Sequence, residues 1–233
     1  MAKRRMTQEE LEQDPFVDSM EKVQVFYEEY KNSVIGGAIA LLLIIGGGIG
    51  YYYYSQSQER QAQQLMGQAE TVFLQGNYQN ALKGSDEDFT VGFEQIINNY
   101  GGTDAANLAR YYAAVCEYNL GNTEAALQYM NEYEVPEGIL GVSTLSFKGV
   151  LHTELGQHEQ AAQTYAQASE WDVNDSTTPY NQLEAANAYH DAGNTAQARE
   201  YASNVVNDYP NSPQVPEAKR LLGILTAASA QTQ

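Results

Sequence analysis

The sequence predicts an all-α protein in which a single transmembrane helix precedes an α-solenoid of about four helical hairpins and a C-terminal capping helix. Two observations predict this fold class: an uncharged run from Ser33 to Tyr54, and four similar short stretches that begin at positions 76, 121, 156 and 193. The run is too long for a typical strand, and self-similarity at nearly regular intervals is typical of repeat proteins. The predicted divisions are a tail at 1–32, a span at 33–54 and a repeat domain at 55–233.

The uncharged run reads SVIGGAIALLLIIGGGIGYYYY. As a helix it would be about 33 Å long, which is enough to cross a hydrocarbon core of about 30 Å. A cleaved signal peptide is the alternative, but the polar segment before the run is long for one, and bulky tyrosines follow the run instead of a small-residue cleavage site. The run is therefore interpreted as an uncleaved single-pass anchor.

Small residues recur within this span and predict a helix-packing face. The predicted packing residues are Gly36, Ala40, Gly46, Gly47 and Gly50. Gly46 and Gly50 form a G-x-x-x-G pair, a pattern that lets two membrane helices approach closely. Small residues are also common in membrane spans without any partner, and this alternative stays open. The predicted membrane-interface residues are Tyr51, Tyr52, Tyr53 and Tyr54.

Basic residues predict the orientation of the span. Lys22 and Lys31 stand close before it, with further basic residues at 3–5, whereas only Arg60 is close after it. Because cytoplasmic flanks carry the excess of Lys and Arg, the N-terminus is predicted to be cytoplasmic and the large segment to lie outside. In a bacterium this places the repeat domain in the periplasm.

The tail contains a predicted amphipathic helix, with Asp14 as its N-cap and Pro15 in its first turn. Its apolar face consists of Phe16, Met20, Val23, Tyr27 and Tyr30. This face is expected to lie on the membrane surface or on a membrane protein. Its mixed charges match anionic lipid poorly, which favours a protein partner slightly.

The four repeated stretches are GNYQNA at 76, GNTEAA at 121, GQHEQA at 156 and GNTAQA at 193. Five residues after each leading glycine stands alanine, and seven residues before it stands a small residue. The alanines are Ala81, Ala126, Ala161 and Ala198, and the small residues are Ala69, Ala114, Gly149 and Ala186. Glycine ends a helix in the left-handed conformation, so each stretch predicts the turn of a helical hairpin whose helices cross at the small positions.

This pattern resembles the tetratricopeptide repeat over about residues 58–212. The first interval is longer than a repeat of this kind, which predicts an insertion: a loop at 84–88 and then a helix carrying Phe93, Ile96 and Ile97. Trp171 and the stretch NDSTTPY are expected to connect the third and fourth repeats, with Pro179 opening the next helix. The stretch SPQVPEAKRLLGILTAASA is expected to be the capping helix that a solenoid needs at its end.

The resemblance implies a concave groove lined by residues at four fixed positions before each turn glycine, thirteen, ten, six and three places back. The predicted binding residues among them are Met66, Phe73, Leu108, Tyr111, Val115, Tyr118, Tyr180, Leu183, Asn187 and His190; Gln63, Glu70, Ser143, Ser146, Val150 and Thr153 complete the register. Some family members grip a C-terminal carboxylate with basic residues at these places, and such a clamp is not expected here. Apolar and aromatic side chains favour low-specificity binding of extended or partly unfolded polypeptide, although some of these residues are expected to pack between repeats instead.

Composition and motifs argue against several other classes of function. With 12 basic and 30 acidic residues the net charge is −18, which excludes a nucleic-acid partner. A single cysteine, Cys116, allows no intrachain disulfide and is expected to be a buried small hydrophobe. No phosphate-binding, zinc-protease or serine-hydrolase motif occurs, and no histidine spacing suits a metal. We therefore expect no enzyme activity, no cofactor and no metal site.

The overall layout resembles that of the YfgM-like proteins, which are ancillary subunits of the bacterial Sec translocon. The resemblance rests on the layout and on stretches such as DPFVDSMEKVQVFYEEYKNS and IINNYGGTDAANLARYYAAVCEYNLGNTEAALQYM. It implies an inner-membrane protein that works with a PpiD-like chaperone and helps to hand over unfolded, exported polypeptides. The alternative is a structural scaffold for another envelope complex, in outer-membrane assembly, division or respiration.

Overall fold

A computed structural model describes residues 15–85 and 89–231 of the chain. Within this part the fold is helical apart from two strands of two residues each, which confirms the predicted all-α class. The elements are α1 (Pro15–Leu74), α2 (Tyr78–Lys83), β1 (Gly84–Ser85), β2 (Thr90–Val91), α3 (Phe93–Tyr100), α4 (Asp104–Asn119), α5 (Thr123–Glu132), α6 (Ile139–Glu154), α7 (His158–Trp171), α8 (Thr178–Asp191), α9 (Thr195–Asp208) and α10 (Val215–Gln231).

The chain divides into an N-terminal unit that ends at Ser57 and a repeat unit that begins at Gln58. In the N-terminal unit, helix α1 kinks at Tyr30, where φ is −112° and ψ is 22°. The predicted cap Asp14 and the side chain of Phe16 lie outside the described part of the structure. The other members of the predicted apolar face, from Met20 to Tyr30, are exposed.

The same unit holds the apolar run. Among the described residues, one helix is long and apolar enough by composition to cross a membrane, and this stretch is not buried against other parts of the protein. The small residues of the predicted packing face are exposed, and a Cβ added at any of its glycines would contact nothing within 4 Å. Tyr51 to Tyr54 are exposed as well.

In the repeat unit, four turns share one backbone geometry, and it is the geometry that the repeated stretches predict. The leading glycines Gly76, Gly121, Gly156 and Gly193 have φ between 67° and 84°. At each turn the glycine N–H donates to the carbonyl three residues back, and the next N–H donates to the carbonyl five residues back. This pair of bonds is the Schellman motif, which satisfies the last carbonyls of the first helix and redirects the chain into the second.

The predicted helix crossings are confirmed by burial. The alanines five residues after the turn glycines are fully buried, and so are the three alanines seven residues before them. The fourth small residue, Gly149, is buried as well, and a Cβ built there would lie 2.7 to 2.8 Å from ring atoms of Tyr165. Small residues at these positions therefore set the distance between the paired helices.

The first hairpin differs from the others because its second helix is interrupted. Helix α2 has only six residues, and β1 then pairs antiparallel with β2, with Gly84 opposite Val91 and Ser85 opposite Thr90. The prediction of a plain loop at 84–88 is therefore wrong at Gly84 and Ser85, whereas 86–88 lie outside the described residues. Helix α3 follows as predicted and buries Phe93 and Ile96. Two-residue strands have no alternation pattern from which they could be predicted.

The core is divided along the array, as expected for a solenoid whose repeats contact mainly their neighbours. One cluster joins the first hairpin to α3 and α4, a second joins α4, α5 and α6, and a third extends from α7 to α10. Helix α10 closes the third cluster with Ala218, Leu221 and Leu225, all at most 2% exposed. The predicted capping helix is therefore present and covers the last hairpin.

Trp171 fixes a connection between hairpins. Its Nε1 donates a hydrogen bond of 2.9 Å to the carbonyl oxygen of Pro136. A Cβ added at Gly141 would collide with this carbonyl and with the indole ring. Helix α8 begins at Thr178 with Pro179 in its first turn, close to the predicted start. Trp171 is the last residue of α7, so its predicted place in the connection is corrected, and its indole ties the end of α7 to the connection before α6.

Candidate protein-binding groove

The first helices of the hairpins carry the predicted groove residues in four columns, numbered here from the start of the helix toward the turn glycine. The first column consists of Gln63, Leu108, Ser143 and Tyr180, and it is exposed in every repeat. Leu108 and Tyr180 are 41% and 40% exposed, which is high for large apolar or aromatic side chains in a packed domain. The first column therefore lies on a solvent-exposed face of the array.

The second column, which consists of Met66, Tyr111, Ser146 and Leu183, has a different role. Met66 and Leu183 are only 4% and 6% exposed and lie in the core clusters. Leu183 is therefore corrected to a packing residue, whereas Met66 both packs in the core and lines the cleft between α1 and α4. The Tyr111 ring packs against Tyr133 and Phe147, with centroid distances of 5.9 and 6.1 Å. The resemblance to the tetratricopeptide repeat implied that this column lines the groove, but it did not show which of its members meet the next repeat.

The remaining second-column residue, Ser146, also contacts the next repeat, but through a hydrogen bond instead of apolar packing. Its Oγ donates a 2.6 Å hydrogen bond to Oδ1 of Asn181, which is 1% exposed and belongs to the next hairpin. The Nδ2 of Asn181 donates to the carbonyl oxygen of Thr177. The buried amide of Asn181, whose oxygen and nitrogen both have hydrogen-bond partners, thus links the third and fourth repeats. The predicted groove positions do not include it. An asparagine one residue after the exposed column is the only trace it leaves in the sequence.

The third and fourth columns, six and three places before the glycine, are intermediate. Phe73, Val115, Tyr118 and Asn187 are half-buried, and His190 is exposed. Phe73 packs edge-on against Tyr112 and Tyr78, with ring centroids 5.0 and 5.5 Å apart. These residues form the floor of the groove, and the exposed first column forms its rim.

Tyr118 shows how the floor is held. Its ring packs edge-on against Phe147 at 5.5 Å, and its hydroxyl donates a 2.7 Å hydrogen bond to Oε1 of Glu154. The hydrogen bond to Glu154, together with burial and the carboxylate charge, raises the pKa of Tyr118 above its usual value. The phenol therefore stays a donor throughout the physiological range. Sequence reasoning missed Glu154, which stands one residue after a groove position.

A cleft of about 300 Å³ opens at the start of the groove between α1 and α4. It is lined by Glu59, Gln63, Met66, Gly67, Glu70, Asp104, Ala105 and Leu108. Four of these residues come from the predicted groove register of two successive hairpins, so the structure brings those positions together. The cleft combines carboxylates with an apolar wall, and its volume is at the lower end of the range for ligand pockets.

Glu59 links the first two repeats at the edge of this cleft. Its Oε2 accepts from the backbone N–H of Asp104 at 2.8 Å, and its Oε1 accepts from Ala105 at 3.2 Å. These are the first N–H groups of α4, which otherwise lack partners within the helix. Thr103 caps a third, since its side chain accepts from Ala106. A residue of one repeat thereby completes the N-terminus of the next.

Replacing Glu59 with alanine is expected to destabilise the repeat domain by about 1–2 kcal/mol, since a charged cap to two helix N–H groups is lost. Urea unfolding of the full chain in detergent, followed by circular dichroism, measures this. Gln64→Ala is the matched control: Gln64 is exposed on the same helix, and its change should stay within about 0.5 kcal/mol. Equal effects of the two substitutions would show that the cap contributes nothing.

Glu184 is a half-buried carboxylate beside the C-terminal part of the groove. Burial, and secondarily the charge of Glu217, raise the pKa of Glu184 above its usual value. The charge of Glu184 in turn helps to raise the pKa of Tyr180, after burial. When the folded-state pKa of a carboxyl is raised, its ionisation lowers the free energy of unfolding. This destabilisation is absent below the unfolded-state pKa of the carboxyl, and it grows as pH rises through the folded-state pKa.

Glu184→Gln is therefore expected to raise stability at pH 7 relative to the native chain, and to lose this advantage at about pH 4, close to the unfolded-state pKa. Thermal unfolding at both pH values measures the difference. Glu124→Gln, at an exposed site on α5, is the control and should show no comparable pH-dependent gain. A gain for Glu184→Gln that is equal at both pH values would contradict the prediction.

Cys116 lies outside the groove surface and is fully buried, as expected from its neighbours. Burial, with a smaller contribution from Glu117, raises the pKa of its thiol to about 12. Such a thiol is protonated and inert at neutral pH. Among the described residues, no three His, Cys, Asp or Glu side chains are placed to hold a metal ion.

These features define a class: a helical-repeat protein built from successive helical hairpins with a closing C-terminal helix. Residues 24–171 match the tetratricopeptide repeat-like domain family, and residues 180–212 match a further tetratricopeptide repeat. The chain belongs to the tetratricopeptide repeat-like domain family, whose match covers well over half of it.

A solved structure supports the fold. The nearly identical TPR-like repeats of a putative kinesin light chain from Podosopora anserina superpose with a TM-score of 0.50 at 17% sequence identity. The match covers 76% of this chain and 98% of the other. At this identity the likeness concerns the fold alone. No curated protein sequence matches the chain.

Proposed function

We propose that this protein is a membrane-anchored adaptor of the bacterial cell envelope that binds polypeptides through its repeat groove. Repeats of this family serve protein–protein interaction, and the observation that carries the proposal is the exposed first column of the groove. Leu108 and Tyr180 present large apolar surfaces at corresponding positions in two repeats. No lysine or arginine occupies any of the sixteen groove positions. A groove that makes apolar and aromatic contacts, without basic residues to grip a C-terminal carboxylate, suits extended polypeptides of varied sequence.

The proposed topology is a single-pass inner-membrane anchor with a cytoplasmic N-terminus and a periplasmic repeat domain. The exposed apolar stretch of α1 and the basic residues before it support this arrangement. A periplasm-active reporter such as alkaline phosphatase, fused after Tyr54, should be active, and a cytoplasm-active reporter at the same place should not. A cytoplasmic signal would overturn the topology.

The specific role that we propose is assistance to newly exported chains near the exit of the Sec translocon, together with a PpiD-like chaperone. This role rests on the resemblance in layout to the YfgM-like subunits. In this role the groove would meet unfolded chains as they enter the periplasm. A photo-crosslinking residue at Tyr118 in living cells is expected to capture translocon components and many secreted polypeptides. Capture of one stoichiometric folded partner would instead favour a structural scaffold for another envelope complex.

The groove itself is tested by substituting its exposed first column. We expect Leu108→Ser with Tyr180→Ser to weaken binding of an unfolded client, such as a reduced and carboxymethylated protein, by about tenfold. Loss of two exposed apolar contacts removes roughly 1–2 kcal/mol of binding free energy. Fluorescence anisotropy with the full chain in detergent measures the affinity. Tyr111→Ser is less informative, because Tyr111 contacts Tyr133 and Phe147 and its loss also lowers stability.

A matched control uses Leu120→Ser with Ile224→Ser. These side chains are 38% and 40% exposed, almost the same as Leu108 and Tyr180, but they stand outside the groove register. Equal loss of binding in both double variants would show that general surface hydrophobicity, and not the groove, binds the client. Unchanged binding in the groove variant would refute the proposal.

A further inference from the structure

The groove carries negative charge, which is relevant to the kind of polypeptide that it would bind. Three carboxylates border its apolar residues along the array. Glu70 lines the first cleft beside Leu108, Glu154 accepts the hydrogen bond of Tyr118, and Glu184 stands one helical turn after Tyr180 on the same face of α8. They belong to the first, third and fourth hairpins, so each end of the aromatic surface meets a negative charge.

Among the described residues, none of these three carboxylates forms an ion pair with a lysine or arginine. The sixteen register positions contain neither lysine nor arginine. The nearest basic residue along α6, Lys148, stands two residues from both Ser146 and Val150. It is therefore about 200° around the helix from each of these groove positions. Lys148 is also half-buried, and burial lowers its pKa. The repeat domain is acidic as a whole, so the long-range potential has the same sign as the groove.

We propose that the groove selects extended polypeptide segments in which lysine or arginine alternates with apolar or aromatic residues. This inference rests on the proposed function and specifies the partner. The aliphatic stem of a lysine or arginine would pack on Leu108 in the first cleft, and its charged end would meet Glu70. At Tyr118 and Tyr180, the cation would lie beside a ring and a carboxylate together. Acidic segments are repelled by the same charges.

Three fluorescent peptides of one length test this, with identical apolar residues and either Lys, Gln or Glu at the alternating positions. The full chain is held in nanodiscs of neutral phosphatidylcholine, so that basic peptides do not bind the lipid. The Lys peptide is expected to bind about tenfold more tightly than the Gln peptide, and the Glu peptide more weakly still. Raising ionic strength from about 50 to about 300 mM should reduce the advantage of the Lys peptide.

Two triple variants remove the same number of negative charges, one beside the groove and the other on the second helices. Glu70→Gln, Glu154→Gln and Glu184→Gln together should reduce the ratio of Lys-peptide to Gln-peptide affinity from about tenfold to about twofold or less. The control triple, Glu124→Gln, Glu170→Gln and Glu200→Gln, lies on exposed sites of the second helices and should keep the preference within about twofold. Amides replace carboxylates here with little change of size and with an acceptor oxygen retained, so both triples are expected to fold.

The outcomes separate this inference from the proposed function. Equal binding of the three peptides, sensitive to Leu108→Ser with Tyr180→Ser, overturns the charge preference and leaves the groove as the binding surface. An equal loss of Lys preference in both triples assigns the effect to overall charge and also overturns the inference. If none of the three peptides binds, both the charge preference and the proposed function are contradicted.

Discussion

Replacing Phe93 with alanine is expected to lower the free energy of unfolding of the repeat domain by about 3–5 kcal/mol. Phe93 is fully buried at the start of α3, where its ring stacks on Tyr112 at a centroid distance of 5.2 Å and contacts Phe73 edge-on at 6.3 Å. Alanine removes both ring contacts and leaves a cavity that the short α2 cannot fill by shifting. Urea unfolding of the full chain in detergent, monitored by the circular dichroism of its helices, measures the loss.

Phe89 supplies the matched control for this prediction. It stands four residues earlier in the same insertion, is 92% exposed and has φ of 51°. Phe89→Ala should change stability by less than about 0.5 kcal/mol, because it deletes the same ring from a site with no packing around it. Comparable losses for Phe89 and Phe93 would show that the insertion is not built around the buried ring.

The second large effect is expected at Gly149. A leucine there would place its Cβ within 2.8 Å of three Tyr165 ring atoms and its remaining atoms farther into the same ring. Tyr165 is 3% exposed and is packed on all sides. Separation of α6 from α7 is expected, with loss of about 3 kcal/mol or more, at the upper end of overpacking effects. Thermal unfolding should show a lower midpoint or a separate early transition.

Gly223→Leu is the control for Gly149→Leu. Gly223 is also helical, but a Cβ added there contacts nothing within 4 Å. Leucine should stabilise this site by about 0.5–1 kcal/mol through helix propensity. If Gly149→Leu were as stable as the native chain, the small position at the crossing would not set the distance between the paired helices.

Much of the fold is predictable from sequence because the turn and crossing positions obey local rules. A glycine before Asn or Gln, with small residues at fixed offsets on both sides, determines a Schellman turn and a close helix crossing without reference to the rest of the chain. The short β1–β2 pairing escaped prediction because four residues give no periodicity. It also needs a glycine at position 92, because a Cβ added there would lie 2.3 Å from the backbone nitrogen of Gly84 and 2.4 Å from the carbonyl oxygen of Leu82.

The sequence indicated which residues belong to the groove register, but not how deeply each of them is buried. The register implied by the repeat resemblance assigned Leu108 and Tyr180 to the groove, and both side chains are exposed in the structure. It could not show that Met66 and Leu183 meet the core, because burial in a solenoid depends on the rotation between neighbouring repeats. That rotation arises from the packing of the whole array. Glu59, Glu154 and Asn181 were missed for the same reason, as each bonds to a residue in another repeat.

The glycines of this chain fall into two kinds with different requirements. At Gly121 φ is 84° and a Cβ added to it meets nothing within 4 Å, so the turn demands a backbone of opposite handedness and not a small volume. At Gly149 the helix is right-handed and volume alone is limiting. A D-amino acid would suit the conformation of the first site, whereas at the second the Cβ of any L-amino acid would collide with Tyr165. Chirality and size, which glycine usually satisfies together, are separate demands along this one array.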